Sequence, residues 1–341
     1  MKIGILTGGG DCPGLNPAIR GAYLRAMDFQ DEVIGILDGW RGLLDKETIN
    51  LSLKDIDEII SKGGTILGTS RVNPAKHRED GLRVCYENFK SLGLDGLIAM
   101  GGEDTLGIAS KLFLEFSIPI VGVPKTMDND LSGTDYTFGF DTSVTAAIDA
   151  LDRLRDTGRS HRRIMVLEVM GRHAGWVALF TAIGGGADWV LIPEQGVDID
   201  KMCEHLLMIY KRKGYAMVVV SEGIKLGKIT EKEEYDEFGH MILQKRGVGK
   251  AIAEEIEKRT KIETRLAVIG HIQRGGSPTL FDRILGLRTG IASVDFIHQG
   301  KFGRMAALVG NKIIDIPLEE ATGRLKLVDE EWYRLAECLF K

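Results

Sequence analysis

Short runs of β-branched and apolar residues alternate along nearly the whole chain with longer stretches whose apolar residues recur at three- and four-residue spacing. The runs at 2–7, 32–37, 96–100, 118–123, 164–169, 189–192, 216–221, 266–269 and 305–309 read as strands. The stretches at 79–92, 105–116, 142–157, 201–213, 249–260, 279–299 and 330–340 read as helices. Most of the strand runs are apolar almost throughout, so they are expected in parallel sheets covered on both faces. Nine alternating units divide more naturally into two lobes than into one sheet. The predicted fold class is therefore α/β, with two Rossmann-like lobes of mostly parallel sheet, helices on both faces, and an active site in the cleft between them. No Pro- or Ser-rich linker marks a boundary, so the chain is expected to cross between lobes more than once. The acidic, loosely patterned stretch 226–246 reads as a solvated surface insertion.

Composition narrows the function. A formal charge of −5 with both signs mixed argues against a partner recognised by bulk charge, whether nucleic acid or membrane surface. The longest uncharged apolar stretch, 174–187, is too short and too broken by glycine to span a bilayer. The first residues run straight into a strand and leave no room for a secretory leader, so a soluble cytoplasmic protein is expected. Four cysteines with no CxxC indicate neither a disulfide framework nor a zinc site, and the seven histidines show no HxxH or HExxH spacing.

With 43 glycines in 341 residues, glycine is nearly twice as frequent as usual, and much of it follows the strands. Such loops are Gly8-Gly9-Gly10-Asp11-Cys12-Pro13-Gly14, 63–71, Gly101-Gly102-Glu103-Asp104-Thr105, Met170-Gly171-Arg172-His173-Ala174-Gly175 and Gly270-His271-Ile272-Gln273-Arg274-Gly275-Gly276. Outside the carboxyl ends of parallel strands, helix N-termini offer free N–H groups, and glycine lets backbone approach an anion. Tight turns use glycine as well, but several such loops carrying Arg, Lys or carboxylates together point to phosphate chemistry. GxGxxG fails after Gly10, which disfavours a nicotinamide dehydrogenase, and GxxxxGK[ST] occurs nowhere. Phosphoryl transfer to an alcohol needs a base, a metal and cations around the transferring group. Pro124-Lys125-Thr126-Met127-Asp128-Asn129-Asp130, with Glu103 and Arg172, supplies each type; Asp128 alone could equally be a turn cap.

Five segments together resemble the 6-phosphofructokinase family: Gly8-Gly9-Gly10-Asp11-x-Pro13-Gly14-x-Asn16, Gly101-Gly102-x-x-Thr105, Pro124-Lys125-Thr126-x-Asp128-Asn129-Asp130, Met170-Gly171-Arg172 and Gly270-His271-x-Gln273-Arg274-Gly275-Gly276. They occur in family order. The resemblance implies fructose 6-phosphate as acceptor, Mg²⁺ as cofactor, and a place in glycolysis or gluconeogenesis. It implies a donor lobe of residues 1–139 plus roughly 278–326, and a sugar lobe of 140–277 plus roughly 327–341. By motif, Asp128 resembles the catalytic base, Arg172 the group neutralising the transferring phosphoryl, and Lys125 a cation for the departing phosphate. Gly10, Arg71, Gly102, Asp104, Thr105 and Lys125 resemble donor contacts, and Glu103 the metal ligand. Thr126, Asp130, Met170, Gly171, Glu222, His271 and Arg274 resemble contacts to the acceptor. Arg163 and Arg265 match arginines that reach the sugar phosphate from a neighbouring subunit, which implies a homodimer or homotetramer.

Asp104 stands where ATP-using members usually carry glycine, and Lys125 where many do. A carboxylate there would crowd and repel an α-phosphate, and Lys125 can compensate it. The pair resembles the pyrophosphate-dependent branch; the same reaction with ATP, or a non-catalytic subunit on this fold, are the alternatives. Glu103 replaces the usual Asp at the metal position. Of the effector-site cations, Arg20 and Arg155 match but Leu24 and Leu53 do not, so weak or absent nucleotide regulation is expected. Cys12 reads as space-filling rather than reactive, His161 and His173 as scaffold, and Trp176 with Phe180 as core packing.

Overall fold

The computed structural model describes residues 1–225 and 247–341; the expected insertion at 226–246 lies outside the described residues. The chain forms two compact units, one of Met1–Met127, Leu131–Thr142 and Arg274–Leu325, the other of Asp128–Asp130, Ser143–Gln273 and Lys326–Lys341.

The first unit is built on a seven-stranded sheet. In chain order its strands are β1 (Lys2–Thr7), β2 (Glu32–Ile36), β3 (Thr48–Asn50), β4 (Gly96–Gly101) and β5 (Ile120–Pro124), joined later by β10 (Arg304–Val309) and β11 (Lys312–Pro317). The second unit holds β6 (Ile164–Val169), β7 (Trp189–Leu191), β8 (Ala216–Ser221) and β9 (Thr264–Val268). The spatial orders are β11-β10-β5-β4-β1-β2-β3 and β7-β8-β6-β9. Every pairing in the smaller sheet is parallel, as are β1–β2, β1–β4, β4–β5 and β5–β10. All residues of β4, β6 and β8 are buried, so both faces of those strands are covered, as their unbroken apolar runs predict.

Two antiparallel edge strands were not legible in the sequence. β3 is three residues long and largely exposed, too short for a periodic signal. β11 follows β10 after Gly310-Asn311, with Gly310 at φ +60°, and pairs back on it as a hairpin.

Not all the glycine serves loops. Helix Leu15–Asp28 packs on helix Leu280–His298 at backbone contact: a Cβ on Gly21 would lie 2.4 Å from the Leu287 carbonyl oxygen, and one on Gly290 2.1 Å from that of Ala18. Helix Glu103–Phe116 begins two residues earlier than its apolar period suggests, which puts Glu103 and Asp104 in the first turn, where the helix dipole favours carboxylates.

Candidate active site

In the first unit β1, β4 and β5 are parallel neighbours, so the loops leaving their carboxyl ends lie side by side. The loop after β1 is pinned from three directions. Gly9 N donates to the Ser70 carbonyl, 2.9 Å, and Thr69 Oγ1 donates to the Gly9 carbonyl, 2.7 Å, which places Arg71 next to this loop. Lys125 Nζ, on a residue only 4% exposed, donates to the Gly10 carbonyl at 2.5 Å. Arg274 Nη1 donates to the Asp11 carbonyl at 3.1 Å.

Buried Thr105 explains two glycines at once. A Cβ on Gly8 would stand 2.6 Å from its Oγ1, and a Cβ on Gly101 2.2 Å from its Cβ. Asn16, from the first glycine motif, holds the neighbouring turn by accepting from Ile66 N (2.9 Å) and donating to the Lys62 and Gly63 carbonyls (3.1 Å each). Gly102 approaches the Lys125 carbonyl, with 3.4 Å to a built Cβ, which brings the second and third loops together. Glu103 and Asp104 are exposed and, with Asn73, Gly107, Lys111 and Glu319, line an open groove. Thr126 is partly buried, and its carbonyl accepts from Thr137 Oγ1 at 2.6 Å.

In the second unit β8, β6 and β9 are adjacent and parallel, so the loops carrying Glu222, Met170-Gly171-Arg172 and His271 emerge together. Two of these loops interlock through backbone. Glu222 N donates to the Val169 carbonyl at 2.9 Å, and Ser221 Oγ to the Gly171 carbonyl at 2.7 Å. Gly171 sits at φ +142°, and a Cβ on Gly223 would lie 2.2 Å from the Arg172 carbonyl oxygen. Met170 is buried, Arg172 partly buried, and His271 exposed on the 3₁₀ turn Gly270–Arg274. Asp128 and Asp130 are partly buried on either side of Asn129, which is 2% exposed at φ +52°. Asn tolerates that left-handed conformation better than most residues. The Asp130 carbonyl accepts from Lys326 N at 2.8 Å.

The electrostatics of this group centre on Glu222. Burial pushes its carboxyl up to about 7, the negative charges of Asp128 and Glu168 add to the rise, and Arg172 opposes it. Asp128, Arg172, Glu168 and Glu222 therefore share one charged neighbourhood.

Arg274, expected by resemblance to contact the acceptor, falls in the first unit. It packs against Gly10 in the first unit, with 2.5 Å between its Nη1 and a Cβ built there, whereas His271, three residues earlier, belongs to the second unit. Arg163 pairs with Glu263 at 2.7 Å, and Arg265 pairs with the same carboxylate. Arg163 precedes β6 and Met170 follows it; six strand residues separate them by roughly 20 Å. Arg265 lies near the start of β9, and His271 beyond its end. Neither arginine is within side-chain reach of the Met170–Arg172 loop of its own chain.

Among the other expectations, burial pushes the Cys12 thiol up to about 12, so it is protonated and inert near neutral pH. Arg155 pairs with Asp152 and donates to the Gly185 carbonyl, and Arg20 donates to the Ile56 carbonyl at 3.4 Å. Trp176 is 6% exposed, stacks edge-on with Phe180 and donates from its indole nitrogen to the Lys326 carbonyl at 2.8 Å. His161 and His173 are exposed. No helix among the described residues is long and apolar enough to cross a membrane.

Sequence reasoning assigned no role to two residues that shape the second unit's site. Glu168 is a carboxylate in the last-but-one position of β6, 6% exposed, whose Oε2 accepts from Gly249 N at 2.6 Å and so caps helix Val248–Thr260. Its signal was available: a lone Glu inside an apolar strand run must have a partner. Gln273 is fully buried and donates and accepts within the same unit.

The family model described as phosphofructokinase matches residues 2–297. A relative from Dictyoglomus thermophilum named pyrophosphate--fructose 6-phosphate 1-phosphotransferase is 50% identical, covering 100% of this chain and 99% of its own. One from Streptomyces coelicolor named ATP-dependent 6-phosphofructokinase 3 is 45% identical, over 99% and 100% of the two chains. Among solved structures, the phosphofructokinase of Saccharomyces cerevisiae superposes with a TM-score of 0.79 at 27% identity. That match covers 99% of this chain but 46% of the yeast chain, so this chain spans about half the yeast length. With the family's motifs in family order and matches across its whole length, the chain belongs to the phosphofructokinase family.

Proposed function

We propose that this chain transfers a phosphoryl group from pyrophosphate to the 1-hydroxyl of fructose 6-phosphate, yielding fructose 1,6-bisphosphate and phosphate. The observation that carries the donor assignment is Asp104, an exposed carboxylate in the first turn of helix Glu103–Phe116, beside loops anchored by Lys125. A negative charge there is tolerable to a donor of two phosphates and repels the α-phosphate of a nucleoside triphosphate. The name of the 50% identical relative supports the same donor.

The acceptor hydroxyl attacks the distal phosphorus, its proton passes to Asp128, and the bridging P–O bond breaks to release phosphate. Arg172 neutralises the equatorial oxygens and Lys125 the departing phosphate. Gly10, Arg71, Gly102 and Thr105 seat the donor, with Arg274 bracing Gly10. Thr126, Asp130, Met170, Gly171, Glu222 and His271 hold the sugar. Mg²⁺ is held by one or two carboxylates together with substrate phosphates and water, so exposed Glu103 is a suitable ligand. When bound, the ion neutralises charge on the phosphate oxygens. Arg163 and Arg265 match arginines that in the family serve a neighbouring subunit's sugar phosphate, and their place at the far end of their strands from the sugar loops supports that role, so the working enzyme is read as a homo-oligomer. The cytoplasm, where sugar phosphates are interconverted, is its place of action.

The rival reading is the same reaction with ATP, and the name of the 45% identical relative favours it. Turnover of the purified chain with each donor separates them: efficient use of ATP with none of pyrophosphate overturns the proposal.

A further inference from the structure

Gln273 lies one residue before Arg274 and two after His271, yet its side chain turns away from solvent and is 0% exposed. Its amide makes three contacts, all inside the second unit. Oε1 accepts from Met170 N at 2.8 Å, while Nε2 donates to Ser143 Oγ at 3.0 Å and to the Ser143 carbonyl at 3.3 Å. One side chain thus ties together the turn bearing His271, the loop bearing Arg172 and helix Phe140–His161. Met170 N is the first amide beyond β6, and β6 already spends its backbone groups on β8 and β9. A buried N–H without an acceptor is costly, so Gln273 fixes where the chain leaves the sheet and enters Gly171 at φ +142°.

We propose that Gln273 is a positioning residue for the sugar-phosphate side of the reaction, setting the Met170–Arg172 loop against the His271 turn without touching substrate. This rests on the reading of function given above. Oε1 is the atom that matters for the loop; Nε2 orients the amide so that Oε1, not the nitrogen, faces Met170. Leu at this position keeps the bulk and removes the acceptor. Glu, held protonated by burial, keeps an acceptor facing Met170 N and presents an O–H to Ser143 in place of the Nε2 donor.

The test is steady-state kinetics on Gln273→Leu and Gln273→Glu with each substrate varied, alongside a thermal melt. Gln273→Leu is expected to raise the KM for fructose 6-phosphate about tenfold, the equivalent of one buried hydrogen bond, about 1.4 kcal/mol. Its KM for pyrophosphate should stay within about twofold, because the donor loops belong to the other unit. Gln273→Glu should remain within about threefold of the unsubstituted chain on both constants. A Leu variant that leaves both constants unchanged, or raises both in parallel, overturns the proposal, as does a Glu variant as impaired as Leu. Should Gln273→Leu fail to fold, Gln273→Glu decides alone: a tenfold rise in its sugar-phosphate KM overturns the proposal. An unsubstituted chain that turns over no donor would overturn the reading of function itself, an outcome distinct from active enzyme with indifferent variants.

Discussion

The ammonium of Lys125 lies 2.5 Å from the carbonyl oxygen of Gly10, buried beneath the first glycine loop. A buried charge held on a backbone carbonyl fixes that loop, and in the proposed reaction the same charge serves the departing phosphate. Lys125→Met keeps the bulk and removes the charge. Expected is a fall in kcat/KM of at least about 10²-fold, with the pyrophosphate KM rising more than that of the sugar phosphate. Equal KM changes for both substrates would count against a donor-side role.

Asp104 is exposed at the helix start, so its removal should cost little stability. Asp104→Gly is expected to raise kcat/KM with ATP at least about tenfold while lowering that with pyrophosphate. Unchanged ATP use would refute the charge argument for donor choice.

Asp128→Ala removes the group assigned to take the hydroxyl proton. A loss of at least about 10²-fold in kcat, with substrate KM values little changed, is expected. A smaller loss would be incompatible with a general base.

Glu222 gives a pH signature. Its folded pKa, about 7, is raised from the ordinary 4.5, so the folded chain keeps a proton that the unfolded chain releases. Its protonation therefore favours the fold below pH 4.5, and that contribution is lost as pH rises from 4.5 towards 7, by about 3 kcal/mol at most. Urea unfolding at pH 5 and pH 7.5 should show a smaller loss of stability in Glu222→Gln than in the unsubstituted chain. Equal losses would remove Glu222 as their source.

Arg163 and Asp128 should complement one another in trans. If Arg163 serves a second copy's site, mixing weakly active Arg163→Ala with inactive Asp128→Ala chains under conditions that allow subunit exchange restores sites carrying both intact groups. Activity well above that of Arg163→Ala alone, up to about a quarter of the unsubstituted level for random dimers, is the expected outcome. Strictly additive activity from the two pools would argue that each chain completes its own site.

Local pattern was enough to read the parallel strands, because β4, β6 and β8 are buried on both faces and their runs are apolar throughout. It could not reveal β3, whose three residues carry no period, or β11, which depends on the hairpin at Gly310. Loop chemistry and motif order together nominated Asp128, Lys125 and Arg172. The glycine excess has two causes: the loops at the carboxyl ends of the strands, and the backbone contact between helices Leu15–Asp28 and Leu280–His298.

What the sequence determined by itself was the α/β class, the glycine loops at strand ends and the residue types for phosphoryl transfer, since each is written in neighbouring residues. Only the tertiary structure decided that Arg274 braces Gly10 and that Lys125 sits on the Gly10 carbonyl. It alone showed that burial, with Asp128 and Glu168 beside it, raises the Glu222 carboxyl, and that Gln273 holds the Met170 amide. Those contacts join residues tens to hundreds of positions apart, and burial, which sets both their strength and the Glu222 pKa, exists only once the sheets have assembled.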